Sequence, residues 1–302
     1  MYLKYINQQL IKNLKKIKDP FIYGQNINSG TLISGLSRNI EDIGKKFIHN
    51  TPNCEYSMIG AGFGMMIAGG NSIYFAKQLD FMLLGSDHFV NTLNSIKTNN
   101  QDKKGSFKLV LFVCDQGFQG SQSSFNNIDD LSSLAQIDTY QINTKFEAEN
   151  VMKFFFKKKG FSILSIGQRL SRDQIFDKKP LKNAKDFSFI QYFKGEEATI
   201  ICSNFSFKYA LELKRKIERK KNKKVGIINS NFVAQPDVKF FINKIKNQKK
   251  IIFISDTKSI NHRFYKLASY LDNKVEKKYI FREDFDWSCQ LDQIPNSILN
   301  GI

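Results

Sequence analysis

The residues that could do chemistry concentrate between Thr51 and Asn91. Thr51-Pro52-Asn53-Cys54-Glu55 leads into a segment of small and apolar residues, Ser57 to Gly70. A carboxylate at the start of such a segment has two roles open to it. It can satisfy the free amides of a helix N-terminus, or it can hold or move a proton at a bound group. Gly60 and Gly64 lie four apart on one helical face, where they permit close approach of another helix or a cofactor. Phe81 follows a short apolar strand, and Asp87-His88-Phe89-Val90-Asn91 comes soon after.

Other chemistries lack their residues. The string Ile59-Gly60-Ala61-Gly62-Phe63-Gly64-Met65 fails as a dinucleotide fingerprint, because Met65 or Ile67 stands where the third glycine belongs and no strand precedes it. No Walker loop, GxSxG or HExxH occurs, and His49, His88 and His262 stand alone. The four cysteines (Cys54, Cys114, Cys202, Cys289) are far apart with no CxxC pair. That spacing argues against zinc and a disulfide framework and for reduced thiols in a cytoplasmic protein.

The elements that must position these residues read as alternating strands and helices. Leu3, Ile6, Leu10, Ile11, Leu14 and Ile17 predict an amphipathic helix over 3–17, stopped by Asp19-Pro20. Strands are predicted at 21–23, 73–76, 109–113, 140–142 and 161–166, helices at 57–70, 80–97 and 146–157, and a loop at 115–127. After a polar, Lys-rich stretch the alternation restarts, with strands at 198–202, 225–229 and 251–254 and helices at 205–221, 237–246 and 260–271. This pattern predicts α/β architecture with mainly parallel sheets. The division expected is residues 1–170, a linker over 171–195, and a smaller domain over 196–302.

Composition bounds the function. The chain has 302 residues, 41% hydrophobic and 25% charged, with 46 Lys plus Arg against 28 Asp plus Glu, for a net charge of +18. That is enough apolar material for a sizeable core. Lys accompanies abundant Asn, Ile and Phe, the mark of an AT-rich coding bias, so the charge reads as solvated faces rather than a nucleic-acid surface. The run Lys214 to Lys221 reads as a solvated helix end that complements the helix dipole, and no aromatic platform accompanies it. No run of 18 apolar residues is present to cross a membrane, and the N-terminus has no signal-type apolar region.

Thr51, Pro52, Glu55, Gly60, Gly64, Ala68, Gly69, Phe81, Asp87 and Asn91 match one family pattern in register and without a gap. They resemble the beta subunit of the thiamine-diphosphate-dependent 2-oxoacid dehydrogenases, the decarboxylase component of the pyruvate dehydrogenase complex. They equally resemble the C-terminal half of transketolase. Tyr5-Ile6-Asn7-Gln8-Gln9 is similar to the family's opening helix, and Asn229 and Pro236 to a segment of its C-terminal domain, so the resemblance spans the chain. It implies a pyrimidine-binding domain of transketolase type followed by a transketolase C-terminal-like domain.

The implied cofactor is thiamine diphosphate. Glu55 would hold N1′ of its pyrimidine and so promote the imino tautomer that acts as internal base. Phe81 would flank the aminopyrimidine, and Gly60 and Gly64 would permit close packing beside it. The G-D-G…N motif that holds the diphosphate through Mg²⁺ is absent from the 302 residues. The resemblance therefore implies an alpha-type partner that binds most of the Mg²⁺ shell, in an α2β2 heterotetramer. The implied reaction is decarboxylation of a 2-oxoacid or transfer of a two-carbon or acyl unit from a ketose. Four departures keep a non-catalytic, structural or regulatory paralogue as the alternative, the first being Gly24-Gln25-Asn26-Ile27 where the family has G-E-D/E-V. Gln122 to Asn127 replaces a loop with an active-site His, His88 replaces a Gln, and Ser255-Asp256-Thr257 replaces an acidic pair.

Overall fold

Apolar runs pair into two six-stranded sheets, each carried by its own unit, in a computed structural model that describes residues 1–115 and 125–281. The first unit comprises Met1–Phe125 and Ser132–Asp177; the second takes in Asn126–Leu131 and the chain from Lys178 onward.

In the first unit α1 (Tyr2–Leu14) buries Ile6, Leu10 and Leu14, the stripe its sequence predicts. The strands are β1 (Pro20–Gly24), β2 (Ile48–Asn50), β3 (Asn71–Ala76), β4 (Ser106–Val113), β5 (Thr139–Gln141) and β6 (Gly160–Gly167). All pair in parallel, in the order β2-β1-β3-β4-β6-β5. Every residue of β4 and β6 is buried, as strands covered on both faces require. Helix α2 (Glu55–Ile67) covers one face, where Phe63 meets Phe107 and Phe161 with ring centroids 5.1 and 5.0 Å apart. Residues of opposite parity face the short helix α5 (Met152–Lys157), which packs with α1; Lys108 Nζ lies 5.2 Å from the centre of the Phe155 ring.

The predicted helix over 80–97 is present as one unbroken helical segment, 80–98, whose hydrogen-bond pattern changes along its length. A 3₁₀ turn spans Asp80–Gly85, a π-helical turn His88–Thr92, and α3 covers Leu93–Thr98. Gly85 lets this segment lie close on α2, since a Cβ there would stand 2.1 Å from Ile59 Cδ1. β2 and the 3₁₀ turns between residues 33 and 47 were not predicted. The loop expected at 115–127 lies mostly outside the described residues, and α4 (Ile128–Ser133) begins just after it.

In the second unit β7 (Lys182–Asn183), β8 (Phe189–Phe193), β9 (Ala198–Ser203), β10 (Val225–Ser230), β11 (Lys250–Ser255) and β12 (Glu276–Ile280) pair in the order β12-β11-β9-β10-β8-β7. The four strands from β9 to β12 are parallel, and β8 and β7 add on antiparallel. β7 and β8 fall inside the stretch expected as a linker. Phe189, Ile190 and Tyr192 are buried there, so the Lys-rich flanks hid a strand. Helices α6 (Phe207–Lys221), α7 (Val238–Ile245) and α8 (Arg263–Ala268) complete this unit. Phe189, Phe241, Phe253 and Phe264 join one hydrophobic core. No helix of the described residues is long and apolar enough to cross a membrane.

Candidate functional site

The order of the first sheet fixes where a ligand can enter. From β1 the chain leaves toward β2 on one side, and from β3 it leaves toward β4 on the other. The crevice beyond the carboxyl ends of β1 and β3 is therefore a topological switch point, where open α/β sheets bind ligands. Residues 51–55 arrive at this point directly from β2, and the Thr51 amide donates to Gly24 O at the end of β1 (3.2 Å). Gly24 must be glycine, since a Cβ would lie 2.3 Å from Phe75 O.

Glu55 opens α2 at this edge and is 6% exposed. It stands in the first turn of α2, where a negative charge complements the helix dipole, and the N-cap residue Cys54 makes no side-chain cap bond. No described residue gives its carboxylate a hydrogen bond or an ion pair. Thr51 Oγ1, four residues earlier, is buried and also has no partner. Beneath the first turn of α2 lie Tyr23 of β1 and Tyr74 of β3, paired in register with their rings stacked at 5.0 Å. Tyr23 donates to Met58 O (2.8 Å). Burial pushes the Tyr74 hydroxyl well above its ordinary pKa, and the neighbouring Glu55 and Cys54 push it the same way.

Phe81 sits in the Asp80–Gly85 turn, half-buried, with no aromatic ring of the described residues against it. This turn rests on α2 through Gly85 and Ile59. The elements carrying Glu55 and Phe81 are therefore in contact. At Gly60 another helical segment comes close, as expected of one of its two roles: His88 Nε2 lies 2.9 Å from where a Cβ would stand. His88 also stacks on Tyr56 (4.2 Å) and bonds Thr92 Oγ1 (2.9 Å). Gly64 meets no atom within 4 Å and lies on an exposed face with Ser57, Ala61 and Ala68.

The glycine that α2 cannot do without is Gly62, which the sequence reading did not single out as a site residue. A Cβ there would fall 2.5 Å from Phe107 and 2.6 Å from Tyr23 Oη, and Ser72 Oγ donates to Gly62 O (3.1 Å). Gly62 sets how closely α2 lies on the sheet and hence where Glu55 sits. Only its place in a run of glycines signalled it.

A second feature escaped the sequence altogether. A cavity of about 810 Å³ opens among the first turns of α1, residues 34–39 and residues 168–172. Lys4, Arg38, Arg169 and Arg172 line it, and no carboxylate of the described residues does. Arg169 pairs with buried Asp115; Lys4, Arg38 and Arg172 have no ion pair among the described residues. Asn7 builds the wall: its Nδ2 donates to Leu36 O and Arg38 O, both at 2.8 Å. Gln168 Oε1 is buried there without a partner. The four cations are scattered over nearly the whole first unit, so no local motif announces them.

Among the described residues no three His, Cys, Asp or Glu side chains gather as a metal site. No protein-family model matches the chain, and no curated protein matches its sequence. Among solved structures it is similar to a protein described as a split-gene transketolase in an inactive β4 tetramer. The likeness has a TM-score of 0.70 at 11% identity, over 93% of this chain and 88% of that one. Two successive α/β units, matched along almost their whole length, give this chain the fold of a transketolase beta-type subunit.

Proposed function

We propose that this chain is the pyrimidine-binding half of a cytoplasmic thiamine-diphosphate-dependent enzyme, completed by an alpha-type partner that holds the diphosphate and Mg²⁺. One observation carries the reading: Glu55 is buried at the switch point with no hydrogen-bond donor from the described chain. The side chain is largely buried while its oxygens, without a donor from the described chain, still face the crevice, where a ring N–H of a ligand can meet them. The residues present fit the cofactor. Glu55 would hold a proton at pyrimidine N1′, the unpartnered Thr51 Oγ1 offers a further polar contact, and the uncovered Phe81 ring would lie on the aminopyrimidine. When bound, the cofactor supplies the carbon nucleophile and electron sink.

The cationic cavity favours one substrate class within this reading. Three unpaired cations around a space of this size suit a small molecule carrying a phosphate. A phosphorylated ketose is therefore preferred to an unphosphorylated 2-oxoacid. The exposed face of α2, with the open Gly64 and the exposed Tyr56, Leu83 and Leu84, is offered to another subunit in an α2β2 assembly. The alternative is a non-catalytic paralogue, favoured by the absence of a His from residues 122–127.

Calorimetric titration with thiamine diphosphate and Mg²⁺ tests the reading, on the chain alone and on its complex with the partner carrying the G-D-G…N motif. Negligible binding to the chain and saturable binding to the complex are expected. Full-affinity binding to the isolated chain contradicts the shared site. Absence of binding to the complex supports the non-catalytic alternative.

A further inference from the structure

We infer that Asn126 is a latch: it seats residues 126–131 in the crevice of the second sheet and thereby holds the turn that carries Phe81, for which it is a positioning residue. The second sheet has a switch point of its own. From β9 the chain crosses to β10 on one side, and from β11 it leaves toward β12 on the other. The crevice beyond the carboxyl ends of β9 and β11 is where such a sheet receives a ligand. Here the chain itself occupies it. Asn204, which follows β9, donates from Nδ2 to Asn126 Oδ1 (2.8 Å), and Asn126 Nδ2 donates to the carbonyl of Asp256, which follows β11 (3.0 Å). The Asn126 carbonyl accepts from the Lys258 amide (2.8 Å) and from Thr257 Oγ1 (2.7 Å).

Asn126, Asn204 and Thr257 are fully buried, and buried amides are costly to leave unpaired. Further along the same segment the Asp130 amide donates to Ser259 Oγ (3.2 Å), and buried Asp129 pairs with Arg263. On its other side the residue before Asn126 turns to the candidate site. The Phe125 amide donates to Asp80 Oδ1 (3.1 Å), and Asp80 opens the turn of Phe81. One peptide bond therefore separates the residue held in the crevice from the residue held on Asp80. When Asn126 leaves its seat, the Phe125 amide loses the support that keeps it on Asp80.

The latch deepens the reading of Phe81 given above and rests on it, but its test needs no cofactor. Hydrogen exchange is followed by mass spectrometry on the full chain, parent against Asn126→Ala. The alanine takes both side-chain bonds from the seat, which shifts local opening by roughly 10–100-fold. Exchange is expected to rise by that factor in the peptides containing Asp130 and Lys258 and in the peptide of the Asp80–Gly85 turn, while β4 keeps the parental rate. A general loss of stability would raise β4 as well. With Asp80→Ala already in place, Asn126→Ala is expected to raise exchange at Asp130 and Lys258 and to add nothing at the turn. Asn204→Ala reaches the same seat from the other side and serves if Asn126→Ala does not fold. Unchanged exchange at Asp130 and Lys258 overturns the inference. So does an unchanged turn beside an opened segment 126–131, or an equal rise in β4. Failure of the cofactor reading is seen separately, as thiamine diphosphate binding to the assembled complex that Phe81→Leu does not change.

Discussion

Lys108 should make the stability of this chain rise with pH. The side chain stands in the middle of the first sheet, 1% exposed, on the face covered by α5. Its Nζ has two acceptors, Ser162 Oγ at 2.8 Å and Gly160 O at 3.2 Å. An ammonium has three hydrogens to place and a neutral amine has two, so the site matches the neutral form. Burial lowers the pKa from 10.5 to about 7, and Lys158 pushes it down further while Asp138 opposes. Below pH 7 the folded and unfolded chains both carry the proton, and the whole cost of burying it falls on the folded state. Between pH 7 and 10.5 the unfolded chain binds more protons, so stability rises with pH. At about 1.4 kcal/mol per unit the span amounts to roughly 3–5 kcal/mol. Lys108→Met keeps the length of the side chain and removes the charge. It should be more stable than the parent at pH 6 to 7, and the gap should close toward pH 10. There the parent's two hydrogen bonds, about 1 kcal/mol each, should reverse the order. Urea unfolding at a series of pH values measures this directly, since every other titrating group cancels in the difference. Parallel stability curves for the two proteins from pH 7 to 10 would refute the reasoning.

Three further outcomes follow from the glycines and the cavity. Gly62→Ala should destabilise the chain by about 1–3 kcal/mol, the cost of overpacking, because the new methyl meets two ring systems at once; chemical denaturation reads it. Gly64→Ala, facing open space, should stabilise the isolated chain by about 0.5–1 kcal/mol through helix propensity while weakening assembly with the partner, as seen by sedimentation. Arg172→Gln should raise the KM for a phosphorylated ketose roughly 10-fold or more with kcat little changed, and leave the KM for an unphosphorylated analogue alone.

The sequence showed most of the strands because their apolar runs are long and continuous; β4 and β6 are buried along their entire length. It missed elements whose local signal is contradicted by tertiary context. β8 hides between Lys-rich flanks, inside the stretch read as a linker. The predicted strand 109–113 stops short of Lys108, yet the strand extends to Ser106 and carries Lys108 inward to Ser162, a neighbour 54 residues away. The candidate site was legible in part. Thr51, Glu55 and Phe81 lie on elements joined at one switch point, and the resemblance to a family pattern singled them out. Tyr23 and Tyr74 come together only through strand register, and the cations of the cavity only through the meeting of α1 with two loops. Such convergence leaves no mark in a linear reading.

The central claim is that Glu55 governs the proton at the pyrimidine of a bound thiamine diphosphate. Its most direct measurement is exchange of the thiazolium C2 proton in the assembled, cofactor-loaded complex, parent against Glu55→Gln, with thermal stability recorded on the same samples. The amide keeps shape and packing but cannot hold the ionised state. The account predicts exchange slowed by about 10²–10⁴-fold with the melting temperature nearly unchanged. Exchange at the parental rate in a fully loaded Glu55→Gln complex would contradict it and leave the chain a structural subunit.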